Sequence, residues 1–219
     1  MTTSHRVIAI DGPAASGKSS VARALAQQLG FAYVNSGAMY RAVTWHVLDR
    51  GIDPGDAAAV QALVEVMPLT CDLQNGESRI LLAGVDPSAH LRDGGVNQNV
   101  SRVSSVPRVR EILVAQMRAY ASERDVVMEG RDIGSVVFPD TPYKFYIDAS
   151  PEIRWQRRAA QGQTDQIAAR DQADSTRRDS PLTIAGDAHV IDSSHLSIDA
   201  VVREIVEHLQ GQGFAELAR

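Results

Sequence analysis

Residues 10–20 read IDGPAASGKSS. Gly12, Gly17, Lys18 and Ser19 satisfy the pattern G-x-x-x-x-G-K-[ST]. In such a loop the backbone N–H groups turn inward around a phosphate, the lysine reaches the outer phosphate oxygens and the serine hydroxyl faces Mg²⁺. Ahead of it, Val7-Ile8-Ala9-Ile10 is a short apolar run suited to a buried parallel strand; behind it, Val21, Leu25 and Leu29 recur at helical spacing. Strand, glycine-rich turn and helix N-terminus thus follow in the order an anion site requires. An ordinary βα turn with a surface lysine is the alternative, and the agreement of motif and flanks favours the phosphate loop.

Composition bounds the rest. With 219 residues, 44% hydrophobic and 22% charged, the chain can bury the core of one α/β domain carrying small insertions, or of two domains at most. A net charge of −5 argues against a nucleic-acid polymer as partner and leaves a small anion open. Of 22 basic residues only Lys18 and Lys144 are lysines, so the positive charge is nearly all guanidinium, whose planar fork matches phosphate oxygens. A genome rich in arginine codons explains that total equally well, and only particular arginines bear on function. The single cysteine, Cys71, precludes an internal disulfide, fits a reducing compartment and reads as buried filler. No signal peptide or membrane-length apolar run is recognisable, so a cytoplasmic protein without a membrane partner is expected.

Along the chain, strand and helix signals alternate. Phe31 to Asn35 reads as a second strand, followed by a helix through Tyr40, Val43 and Val47 to Arg50-Gly51. Val60, Leu63, Val64 and Met67 suggest another helix, closed by Pro68. Leu69–Leu73 and Arg79–Ala83 flank Asn75-Gly76 and read as a β-hairpin, which points to an inserted subdomain. Leu91–Val103 is ambiguous. Pro107 opens a helix with the stripe Val109, Leu113, Met117 and Tyr120. Val126-Val127-Met128 is a buried strand that delivers Glu129-Gly130-Arg131-Asp132 at its C-terminal end, where ligands sit in open α/β sheets. Phe145–Ile147 and His189–Asp192 complete five strands separated by helices, which imply a parallel sheet covered on both faces. Between Arg154 and Arg178 the sequence is too polar for a core element; by composition it reads as a solvated, salt-bridged helix pair. The six histidines show no ligand spacing, and Trp45 and Trp155 read as packing groups.

DGPAASGKSS (11–20), NSGAMYRA (35–42), PRVRE (107–111), EGRDIGSVVFPD (129–140) and RDQADSTRRDSPL (170–182) together resemble the bacterial cytidylate kinases, from about residue 6 to the final helix. The resemblance implies a P-loop NTPase fold in a single domain. Its core would take up about 1–37, 105–153 and 180–219, a nucleoside-monophosphate-binding insertion with the hairpin about 38–104, and a short lid about 154–179 that carries Arg154, Arg157 and Arg158. The implied activity is transfer of a phosphoryl group from ATP to CMP or dCMP with Mg²⁺, in a monomer. ATP would lie on Gly12, Pro13, Ala14, Ala15, Ser16, Gly17, Lys18, Ser19 and Ser20, with Arg154 from the lid and Ser19 on the metal. Ser36, Arg41, Arg131 and Arg170 would surround the acceptor phosphate. Ser101, Arg110 and Asp132 would read the base, and Asp174 and Arg177 would hold the sugar. Lys18, Arg131, Arg158 and Arg170 would act on the transferring phosphoryl.

Elementary chemistry supports these assignments. Two polyanions must meet end to end, so unreactive positive groups have to neutralise oxygens on both sides of the moving phosphoryl. The acceptor is a phosphate monoester with a second pKa of about 6, already ionised at neutral pH, so no general base is needed. Cytosine offers an exocyclic amine with acceptors beside it, which suits a carboxylate next to an arginine. By residue type alone Arg41 could equally be a surface arginine, Asp132 a salt-bridge partner of Arg131, and Asp174 with Arg177 an i, i+3 ion pair. Two departures from the family pattern stand out. The stretch between Arg158 and Arg170 is shorter than the usual lid, leaving open which arginine reaches the phosphoryl, and Asn35 stands where an aspartate is common. A small kinase of another acceptor, such as shikimate or adenylate, and a nucleotide-dependent switch are the competing classes.

Overall fold

Ile8 and Ile10 point to one side of the first strand, Val7 and Ala9 to the other, and all four are buried. That alternation demands a covered sheet with two cores. The computed structural model describes residues 5–160, 162, 167–176 (167–170 as backbone) and 180–214. In chain order they form β1 (Val7–Asp11), α1 (Lys18–Leu29), β2 (Ala32–Asn35), α2 (Ser36–Asp49), α3 (Ala57–Val66), β3 (Leu69–Gln74) and β4 (Glu77–Leu82). There follow α4 (Gly94–Ser104), α5 (Pro107–Glu123), β5 (Val126–Gly130), a π-helical turn at Ile133–Val137, β6 (Tyr143–Asp148), α6 (Pro151–Ala160), α7 (Ile167–Ser175), β7 (His189–Asp192) and α8 (Ile198–Gly211).

The sheet order is β3-β4-β2-β5-β1-β6-β7. Ile8 and Ile10 pack with Val21 and Leu25 of α1 and with Val201, Ile205 and Leu209 of α8. Val7 and Ala9 share the opposite core with Met39 and Val43 of α2 and the expected stripe of α5. Burying each such side chain contributes about 1.5–3 kcal/mol, well above the few tenths separating most helix propensities, so packing decides where these helices lie. Sequence signals set their ends. Asn35 caps α2 by accepting from the Ala38 N–H at 2.9 Å, Pro107 opens α5, and Ser197 accepts from the Ala200 N–H at 3.2 Å to cap α8.

The expected five-stranded parallel sheet is corrected to a mixed sheet of seven strands. The five expected strands do run parallel, and the hairpin β3–β4 extends their sheet, β4 as a sixth parallel strand beside β2 and β3 antiparallel to β4. The Tyr33 N–H of β2 donates to the Gly76 carbonyl at 2.8 Å, and Tyr33 lies beside Glu77 in parallel register. Without this contact β2 would expose a row of unpaired peptide groups, the instability of any sheet edge. The turn itself follows its sequence, with Asn75 and Gly76 at φ 53° and 79°. The ambiguous stretch Leu91–Val103 falls largely within α4, which follows a short 3₁₀ turn at Ser88–His90. Cys71 is half-buried on the hairpin rather than fully buried, and desolvation pushes its thiol up to about 11. Among the described residues no helix is long and apolar enough to cross a membrane.

Register brings the functional ends together. Asp11 lies beside Gly130 on one side and Tyr146 on the other, and Asn35 lies beside Glu129. The chain leaves β1 toward β2 and later returns to β6 on its other side, so a crevice opens at the carboxyl ends of these strands.

Candidate active site

The phosphate loop joins β1 to α1. Gly12, at φ 154°, has no room for a side chain, because an added Cβ would overlap the Ile147 carbonyl of β6. Gly17 caps α1 in the left-handed region at φ 91°, donates no side chain to the helix end, and no acid occupies the first turn. The loop-facing N–H groups and the positive end of α1 are therefore left for an anion. Lys18 is buried and donates to the Pro13 carbonyl at 3.0 Å, with Glu129 3.9 Å away.

A cavity of about 1050 Å³ extends from this loop to α4 and α5. Its lining includes Lys18 and Ser19 of the loop, Ser101 of α4, Arg110 of α5 and Asp132 after β5, with Ser36, Arg41 and Arg131. Two polar clusters organise it. In the first, the Ser19 hydroxyl donates to Glu129 at 2.8 Å and the Tyr33 hydroxyl approaches the same carboxylate at 3.4 Å. Burial, with Glu129 next, pushes the Tyr33 phenol upward, so it remains a neutral donor. In the second, Arg110 donates to Asp132, both side chains 6% exposed, while its guanidinium also reaches the Ser104 carbonyl and lies 5.3 Å from the centre of the Tyr40 ring. An acceptor-only group beside a fixed fork of donors can select a ligand by its hydrogen-bonding edge.

Other arginines tie the far elements to the loop. Arg131 donates to the Gly12 carbonyl and to Asp174 of α7, each at 2.9 Å, and Ser101 contacts the other oxygen of Asp174 at 3.5 Å. Arg154 of α6 donates to the Ala14 and Ala149 carbonyls and to Asp171, which in turn faces the Ala14 N–H. Arg157 donates to the Ser16 carbonyl at 3.1 Å and to the Ser193 carbonyl at 2.7 Å, holding α6 between the loop and the turn after β7.

A sequence model described as cytidylate kinase matches residues 8–211. This chain belongs to the cytidylate kinase family. A curated cytidylate kinase from Corynebacterium glutamicum is 46% identical over 212 residues, covering 91% of this chain and 92% of that protein. One from Mycobacterium leprae is 45% identical over 213 residues, covering 92% and 94% respectively. Among solved structures, a gluconokinase from Sinorhizobium meliloti aligns over 97% of this chain and 95% of its own with TM-score 0.49 and 15% identity.

Within this cytidylate kinase framework, fifteen of the expected site residues line the one cavity: 14 to 20, Ser36, Arg41, Ser101, Arg110, Arg131, Asp132, Arg158 and Asp174. Gly12 and Pro13 belong to the loop but not to the cavity lining and contribute their carbonyls to Arg131 and Lys18, and Arg154 grips the loop from α6. The Arg170 side chain and Arg177 fall outside the described residues. One pairing differs from that which residue spacing suggested. Asp132 joins Arg110 rather than its neighbour Arg131, and Arg131 joins Asp174. Arg41 is held toward the cavity by donating to the Gly37 carbonyl at 3.1 Å, one turn earlier on α2. Arg158, 9% exposed, lies on the buried face of α6 rather than in solvent. Sequence reasoning gave no site role to Glu129 or Tyr33, and counted Arg157 only as one of the lid arginines. For Glu129 a signal existed: an acid ending an otherwise apolar buried strand, at the edge where ligands sit.

Proposed function

We propose that this protein transfers the γ-phosphoryl group of ATP to CMP or dCMP, giving CDP or dCDP. What carries the proposal is that one cavity joins the phosphate loop to the buried Arg110–Asp132 pair, a polyanion site connected to a site for a hydrogen-bonding base. In this reaction the loop N–H groups and Lys18 hold the donor phosphates, Arg154 and Arg158 cover them from α6, and Arg157 braces that cover. Residues 38–104 serve as the acceptor-binding insertion and 154–179 as the lid, whose closure excludes water. Ser36, Arg41 and Arg131, with Arg170, hold the acceptor phosphate, while Asp174, with Arg177, holds the sugar. The acceptor oxygen attacks in line without surrendering a proton, so the protein's work is positioning and charge neutralisation.

The donor set beside Lys18 fits Mg²⁺: a serine hydroxyl and a buried carboxylate 2.8 Å apart, both oxygen ligands of the hard type that ion prefers. Ser19 would hold the ion with Glu129 behind it, and when bound it would supply positive charge to the donor phosphates. Selectivity falls to Asp132, which accepts from the cytosine amine while Arg110 donates to the ring. Uracil would turn a carbonyl toward that carboxylate, a mismatch of a few kcal/mol or roughly several hundredfold in a dry pocket. The enzyme acts as a monomer in the cytoplasm. Its most exposed large apolar side chains among the described residues, Val66 of α3, Trp155 of α6 and Ile184 of the loop before β7, belong to three different segments. A coupled assay of ADP release with Mg-ATP tests the proposal against CMP, dCMP, UMP, AMP and shikimate. CMP and dCMP should be turned over best, and preference for AMP or shikimate would overturn it.

A further inference from the structure

Asp11 takes no part in the chemistry described above. It lies one residue before the phosphate loop, is 5% exposed, and does not line the cavity. Its two carboxylate oxygens accept separately from two consecutive backbone N–H groups, Ile133 and Gly134, each at 2.8 Å. Those are the first two peptides after Asp132. The Asp132 carbonyl accepts from Val136 and Val137, which closes the π-helical turn behind it. Asp132 itself stands at the N-terminal end of that turn. On the other flank, Arg131 donates to the Gly12 carbonyl. Residues 131–134 are thus fastened to residues 11–12 by three hydrogen bonds, and two of them end on Asp11.

The choice of an acid is informative. Two diverging N–H donors require an acceptor on both sides, which a carboxylate supplies and an amide cannot, since one end of an asparagine would present N–H to N–H. The cost is a buried charge. Desolvation, followed by the two backbone bonds that oppose it, brings the carboxyl to about 7, with Asp132 raising it and Lys18 lowering it. The buried Tyr146 phenol is the other titratable group facing it. A scaffold seeking stability alone would fill such a position with an apolar side chain.

We propose that Asp11 is a positioning residue that fixes the peptides on either side of Asp132, so that one clamp at the root of the phosphate loop aims the base-reading carboxylate. The inference rests on the assignment of Asp132 as base reader. The test compares full-length Asp11→Asn, Asp132→Ala and unaltered enzyme in kcat and KM for ATP, CMP and UMP. For Asp11→Asn the KM for CMP should rise about tenfold, the worth of one good hydrogen bond, with a matching fall in the CMP-to-UMP ratio of kcat/KM. Its KM for ATP should stay within about twofold. If ATP and CMP are weakened together, or the variant no longer melts later with ATP, Asp11 is only structural and the proposal fails. Unchanged selectivity in Asp11→Asn beside lost selectivity in Asp132→Ala overturns the clamp alone; unchanged selectivity in Asp132→Ala overturns the base-reader assignment and the clamp with it. A measurement on the unaltered enzyme guards against a variant that does not fold. The CMP-to-UMP ratio cancels ionisation of the acceptor phosphate, so it should fall as pH drops through about 7, and a flat ratio between pH 6 and 8 would refute the clamp.

Discussion

Replacing Asp132 with alanine should be costly to the fold as well as to selectivity, and the structure sets the size of the first effect. Arg110 and Asp132 are each 6% exposed at the side chain, so neither charge has bulk water to fall back on. After the substitution the guanidinium keeps the Ser104 carbonyl at 3.4 Å and the face of Tyr40, but no carboxylate among the described residues. Breaking one side of a buried pair costs about 3–5 kcal/mol, most of it the penalty of the stranded charge. In a chain of 219 residues each kcal/mol shifts Tm by about 2–4 °C, so the expected fall is roughly 6–20 °C. Differential scanning calorimetry on Asp132→Ala, Arg110→Met and the double variant Arg110→Met/Asp132→Leu separates the terms. Both single variants should melt early. The double variant should recover much of the loss, because two apolar side chains of similar volume remove both desolvation penalties at once. A fall below about 3 °C in Asp132→Ala, or a double variant no more stable than the worse single one, would refute the claim that the pair is dry. The kinetic counterpart is a narrowed CMP-to-UMP gap in Asp132→Ala, and equal losses for both pyrimidines would dismiss its role in reading the base.

Glu129→Gln should raise the Mg²⁺ concentration needed for half-maximal rate while leaving the KM for CMP near its original value; a Mg²⁺ titration at saturating ATP reads this out. Gly12→Ala should lose about 2 kcal/mol or more, or fail to fold, since its φ of 154° and the Ile147 carbonyl both exclude a Cβ; melting temperature measures it. Arg157→Met should weaken ATP binding several-fold, about 1 kcal/mol, with little effect on CMP, because it unfastens α6 from the Ser16 and Ser193 carbonyls, and separate KM determinations test the split. Asp11 also predicts a pH dependence of stability. Its folded-state pKa of about 7 lies above the ordinary 3.8, so its contribution is complete below about pH 4 and is lost as pH rises toward 7. Asp11→Asn cannot lose it, so the Tm of the variant minus that of the unaltered protein should climb between pH 4 and 8, and parallel curves would contradict the raised pKa.

Local chemistry was legible where a structure is made by neighbours in sequence. The phosphate loop, the Asn75-Gly76 turn, the α5 stripe opened by Pro107 and the five parallel strands each depend on residues a few positions apart, and each stands where its pattern lies. Many of the residues that line the cavity were legible too, through the family blocks that carry them. What sequence spacing misjudged was partnership. Adjacent charges suggested Arg131 with Asp132, whereas the strand end turns them in different directions, one to α7 and one to α5. The hairpin was legible because its own sequence closes it; that β4 pairs beside β2 was not, since this depends on the open edge of β2.

The order of elements, the anion loop and the residue types available for a nucleotide are therefore properties of the chain taken in short windows, since dihedral preference and hydrophobic period act over one or two turns. Tertiary structure decided that Glu129 backs Ser19 across 110 residues, that Arg110 meets Asp132, and that Asp11 grips the turn 122 residues away. Those pairings depend on which strands lie side by side and in what register, which is set by how the two cores pack as wholes.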